Sequence, residues 1–73
     1  MNNTIYSKGH KQLIEKLKNA RIEIGLDQVE VAERLNKTQS YISKVESGQR
    51  RIDIIQLKEF AKLYKKDIHY FIN

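Results

Sequence analysis

The sequence has no cysteine, no proline and no tryptophan, and only three glycines in 73 residues. Without cysteine, neither a disulfide framework nor a thiolate zinc site can stiffen so short a chain. Without proline, no helix has to break or kink at an imino acid. Long apolar runs are also missing, the longest being clusters such as Ile54-Ile55 and Tyr70-Phe71-Ile72. That excludes a membrane-spanning helix and leaves no signal-peptide core, so a cytoplasmic, nucleoid-associated protein is expected. Domains begin at about 50 residues, which leaves room for one, with a core too small to enclose a deep, dry active site.

What is present favours helices and positive charge. Leu, Lys, Glu, Gln and Ala are plentiful and strand-like alternation is nowhere sustained, so an all-α fold is expected. Fourteen Lys and Arg against nine Asp and Glu give a net charge of +5. Polyanions are the natural partners of such a chain.

Glycines and short polar side chains divide the chain into five expected helices. After a loose segment over residues 1–7, Ser7 can cap a helix from about Lys8 to Ile24, with Leu13, Leu17, Ala20 and Ile24 on one stripe and Gly25 as its stop. Asp27 with Glu30 three residues on forms a capping-box start for a helix through Val31, Ala32 and Leu35, ending at Asn36. Thr38 caps a third helix, from Gln39 to Ser47, whose inward residues are Ile42 and Val45; Gly48 closes it. Asp53 and Gln56 open a fourth helix to about Lys65, carrying Leu57, Phe60, Ala61 and Leu63 or Tyr64. Asp67 can start a last turn or two with Ile68, Phe71 and Ile72. Residues 8–73 thus read as one domain.

The centre of this pattern has a specific geometry. Two short helices joined through Asn36, Lys37 and Thr38 cross steeply and push the second outward as a ridge fit for a major groove. With Ile42 and Val45 inward, Gln39, Ser40, Ser43, Lys44 and Ser47 form one continuous polar face without a carboxylate. Its amide, hydroxyl and ammonium groups are those that reach base edges and phosphates. By segment, residues 8–21 carry +4, residues 22–36 carry −3, residues 37–51 carry +3 and the remainder +1. Cationic charge is therefore expected to bracket the outward helix at both ends, where two phosphate backbones would run.

The run from Gly25 to Ala32, GLDQVEVA, and that from Thr38 to Gly48, TQSYISKVESG, closely resemble the lambda-repressor-like, Cro-type helix-turn-helix family, also called the xenobiotic-response-element family. The likeness extends from Leu17 to Phe71 and includes the spacing of Arg21, Gln28 and Glu46 and the Arg50-Arg51-Ile52-Asp53 approach to the fourth helix. It implies a compact five-helix DNA-binding domain that works as a homodimer on a palindromic operator. Gln28 matches a position that hydrogen-bonds a phosphate at the start of the second helix. Gln39 matches the first residue of the recognition helix, where an amide pairs with adenine, and Ser40, Ser43 and Lys44 match further base-proximal positions. Arg21 and Glu46 match a semi-buried salt bridge joining the first and third helices, a structural pair. The sequence departs from the commonest pattern at Asn36, where many relatives have Gly, and at Ile52-Asp53, where many have Pro.

The expected DNA-contacting residues are thus Gln28, Lys37, Thr38, Gln39, Ser40, Tyr41, Ser43, Lys44, Ser47, Arg50 and Arg51. Lys44 can read guanine or touch a phosphate. Tyr41 can cover the core, which comes first, or meet the sugar-phosphate backbone or a thymine methyl. Lys8, Lys11, Lys16 and Lys18 suit a solvated face as well as phosphate contact. Arg50 and Arg51 suit backbone contact, though cations near a helix end also complement its dipole. His10 and His69 lack the neighbours a metal needs, and Ser40 and Ser43 lack an oxyanion turn, so neither metal, cofactor nor catalysis is expected. No membrane contact and no small-molecule effector are expected either. The expected dimer surface is the far end, with Tyr64, Ile68, Tyr70 and Ile72. The rival function is an antitoxin or adaptor using the same fold to bind protein; a controller of a restriction-modification operon would differ only in its DNA target.

Overall fold

The computed structural model describes residues 8–72. These form five helices: α1 (Lys8–Glu23), α2 (Gln28–Leu35), α3 (Gln39–Glu46), α4 (Ile54–Leu63) and α5 (Ile68–Ile72). The expected loose segment and the cap at Ser7 lie outside the described residues.

Each helix contributes to one core. Leu17 and Ala20 come from α1, Val31 and Ala32 from α2, Ile42 and Val45 from α3, Leu57, Phe60 and Ala61 from α4, and Phe71 from α5. Tyr64, just past α4, joins them at 2% exposure, while Leu63 is only half-buried. The periodicity left Leu63 and Tyr64 open. The aromatic ring wins the inward place, packing 5.9 Å from the Phe60 ring. Tyr64 is therefore withdrawn from the expected dimer surface, because its side chain is consumed by the core.

Local chemistry explains the helix starts. Asp27 accepts the Glu30 N–H at 2.8 Å while Glu30 Oε1 accepts the Asp27 N–H at 2.9 Å. Asp53 and Gln56 repeat that reciprocal box at 2.8 and 3.0 Å, and Thr38 Oγ1 accepts the Tyr41 N–H at 3.0 Å. Each satisfies amides that a helix start would otherwise leave unpaired.

The helix ends share one device. Gly25, Asn36, Gly48 and Lys65 all take left-handed φ values, of 81°, 58°, 85° and 60°. At each, two amides turn back onto carbonyls of the last turn, as where Lys37 N–H reaches Ala32 O at 2.8 Å and Lys66 N–H reaches Ala61 O at 2.9 Å. The fourth helix accordingly ends at Leu63 rather than near Lys65. A lysine gives no sequence signal for a left-handed stop. At Gly48 an added Cβ would also lie 3.0 Å from Ile14 Cδ1, so packing adds to the left-handed backbone's preference for glycine there.

The helices α2 and α3 pack most closely together, α3 also packs on α1, and α5 closes against α1 and α4. That arrangement holds α3 from behind and leaves its other side to solvent.

Candidate nucleic-acid interface

The outward side of α3 is built from five exposed polar residues, Gln39, Ser40, Ser43, Lys44 and Ser47, while Ile42 and Val45 are 0% and 2% exposed. Ser47 lies one residue beyond the helix as its C-terminal cap, and its hydroxyl donates to Lys44 O at 3.2 Å. The single carboxylate of α3, Glu46, does not share this face. Its side chain is 6% exposed and turns toward α1.

There Glu46 meets Arg21 in a two-point contact, Nε to Oε2 at 2.7 Å and Nη2 to Oε1 at 3.1 Å. Arg21 Nη1 also donates to Leu26 O at 2.9 Å, so the guanidinium ties α1 both to α3 and to the loop before α2. Hydrogen bonding to Glu46 raises the Arg21 pKa above its ordinary value, against an opposing contribution from burial. The guanidinium remains charged at any pH the fold meets.

Glu46 then organises two glutamines. A carboxylate only accepts, so Gln28 turns its amide NH2 toward Glu46 Oε1, at 3.0 Å. Its carbonyl is thereby aimed at Gln39, whose Nε2 donates to Gln28 Oε1 at 2.7 Å. The chain of donors from Arg21 to Gln39 dictates which way each amide faces. Gln39, at the exposed end, keeps its carbonyl oxygen and its second N–H for an outside partner. One acceptor beside one donor is the complement of the N6 and N7 edge of adenine.

A second cluster lies at the first turn of α3. The half-buried Tyr41 ring stacks near Phe60, with centroids 6.5 Å apart and planes 11° apart. Lys37 Nζ lies 5.2 Å and Arg50 Cζ 4.9 Å from its centroid. Burial raises the Tyr41 pKa, with Arg50 acting in the other direction. Arg50 was expected to mark the opposite end of α3 from Lys37. Instead its side chain returns along the helix and both cations meet over one ring. Arg51 is exposed, and Thr38 is exposed with its Oγ1 engaged as the cap.

The cations of α1 divide. Lys11 and Lys18 are exposed, whereas Lys16 lies over the Tyr70 ring at 5.7 Å, at the α5 end of the domain. Lys66 shares that ring at 4.7 Å and pairs with Glu23 at 2.9 Å. Sequence reasoning placed Arg21 with Glu46 and marked Gln28 and Gln39 separately. It missed the link through Gln28 and the meeting of Lys37 with Arg50, for which spacing along the chain carries no signal.

A family model described as helix-turn-helix matches residues 17–71, most of the chain and every residue of the two clusters. A comparison with curated proteins finds no match. No helix among the described residues is long and apolar enough to cross a membrane. Five helices without a described strand, a closely packed α2–α3 pair and the family match have one reading: the chain belongs to the DNA-binding regulatory helix-turn-helix family of the Cro and lambda-repressor type.

Proposed function

We propose that the protein is a sequence-specific repressor of transcription that lays α3 in the major groove of double-stranded DNA and acts as a homodimer on a palindromic operator. It works by occupancy and not by catalysis. The observation that carries this reading is the oriented relay from Arg21 through Glu46 and Gln28 to Gln39, which ends in a solvent-facing amide with a set donor and acceptor.

In this reading Gln39 pairs with adenine, Ser40, Ser43 and Lys44 contact neighbouring base edges, and Gln28, Thr38 and Ser47 lie against the backbone. Lys37, Arg50 and Arg51 supply charge to phosphates. One short helix reads only about three or four base pairs, too few to mark a site, and two-fold pairing doubles that number. Tyr70 and Ile72, 39% and 55% exposed, offer apolar surface for the pairing at the α5 end. The half-sites would then lie about 34 Å apart, one turn of the duplex.

Selection from a random duplex pool with purified protein near physiological salt tests this directly. An inverted repeat among the retained sequences is the expected result. Retention without any motif, lost on a modest rise in salt, would contradict sequence reading and direct the search to a protein partner.

A further inference from the structure

We infer that Tyr41 is a positioning residue for DNA binding: its ring gathers Lys37 and Arg50 into one two-cation clamp for a phosphate backbone. This rests on the DNA-binding reading above and adds to it a role for an aromatic ring.

The two cations come from different parts of the chain, Lys37 from the turn between α2 and α3 and Arg50 from the loop after α3. Both are exposed residues, and among the described residues neither is ion-paired with a carboxylate. Two like charges with long side chains have no reason of their own to converge. The negative face of an aromatic ring supplies one, since it attracts both. The ring is itself held in place by its stacking near Phe60. Its hydroxyl is buried from solvent and lies in reach of Arg50.

Pre-gathering matters because Lys and Arg lose much rotamer freedom when they grip a phosphate. A ring that already restricts both removes part of that ordering from the binding step. The clamp combines a lysine point charge with the planar arginine fork, at the end of α3 where Gln39 enters the groove. Lys37 and Arg50 therefore serve one backbone together and do not bracket the helix.

The test compares wild type, Tyr41→Phe, Tyr41→Leu and Tyr41→Met for affinity to one fixed duplex across a salt series. Lys37→Met and Arg50→Met are added in the wild-type and Tyr41→Leu backgrounds. Circular dichroism gives the folded fraction, and NMR gives the side-chain methylene shifts of Lys37 and Arg50 in the free protein. Phenylalanine should retain the wild-type salt slope, while leucine and methionine flatten it, by about 0.9 for each phosphate no longer neutralised. The Lys37 and Arg50 substitutions should flatten the slope in wild type and add little in Tyr41→Leu. Loss of packing alone would lower the folded fraction and leave the slope unchanged.

An unchanged slope in folded Tyr41→Leu or Tyr41→Met overturns the clamp, and so does a loss in Tyr41→Phe equal to that in leucine. Should Tyr41→Leu and Tyr41→Met both fail to fold, the wild-type methylenes decide, since a clamp requires ring-current displacement of both. Absent displacement with intact duplex binding sinks the Tyr41 role alone. Displacement with no duplex binding sinks the DNA-binding reading and, with it, the phosphate role.

Discussion

Gln39 stands at the end of a relay whose earlier members each have one way to face, and in the proposed reading that lets a flexible amide act as a defined reader. Gln39→Ala should cost about 1–3 kcal/mol of affinity, concentrated at one base position per half-site. Competition among duplexes substituted one position at a time checks this, and a uniform loss over all of them contradicts it. Tyr64 is the opposite kind of residue, a polar group taken inside. Its hydroxyl is buried without a hydrogen-bond partner among the described residues, and burial pushes its pKa far above the ordinary phenol value. The folded state thus prefers the protonated phenol. Its stabilising contribution is complete below the unfolded-state value of about 10 and is lost as pH rises beyond it. Tyr64→Phe should be at least as stable at neutral pH and show a flatter alkaline limb in urea unfolding; an alkaline limb as steep as that of wild type would contradict the burial argument.

At the scale of elements, four helices end in the same left-handed turn with different residues at the critical place. Glycine enters that region freely, asparagine tolerates it, and lysine is strained by about 1–2 kcal/mol. Lys65→Gly should therefore raise stability, by up to about 1 kcal/mol once the added freedom of the unfolded chain is allowed for. Gly48→Ala should lower it by more than about 1 kcal/mol, because the backbone is left-handed and Ile14 is close. Urea midpoints of the two variants give both signs, and a lowered midpoint for Lys65→Gly would show that the strain is relieved elsewhere. Three of these stops were legible as Gly25, Asn36 and Gly48, and the starts of α2 to α5 were legible in Asp27, Thr38, Asp53 and Asp67. The fourth stop was not, since at Lys65 tertiary packing of Tyr64 imposes the turn on a residue without the propensity.

For the whole molecule, Arg21 and Glu46 connect the first helix to α3. Side-chain exposures of 12% and 6% make this a largely desolvated pair. Removing one partner of such a pair costs about 3–5 kcal/mol, and Arg21→Met should fall toward the lower figure because Gln28 still donates to Glu46. A double-mutant cycle of Arg21→Met with Glu46→Gln should show coupling of about 0.5–3 kcal/mol in urea unfolding. The same variants should weaken base discrimination at the position read by Gln39, although neither residue lies on the outward face of α3. Additive stability losses with unaltered discrimination would separate the salt bridge from recognition.

The sequence alone determined what is local. Caps, glycine stops and the spacing of apolar residues act within about one turn of helix, so they specify five helices, their inner faces and the polar side of α3 wherever the helices come to rest. The choice among long-range partners was settled only by the tertiary structure. Gln28 reaches Glu46 and Gln39 across 18 and 11 residues. Arg50 turns back to Tyr41, and Tyr64 displaces Leu63 from the core, because the crossing of the packed helices decides which of several reachable side chains stands within a few ångströms. A hydrogen bond or a ring contact needs that placement, and no local propensity encodes it.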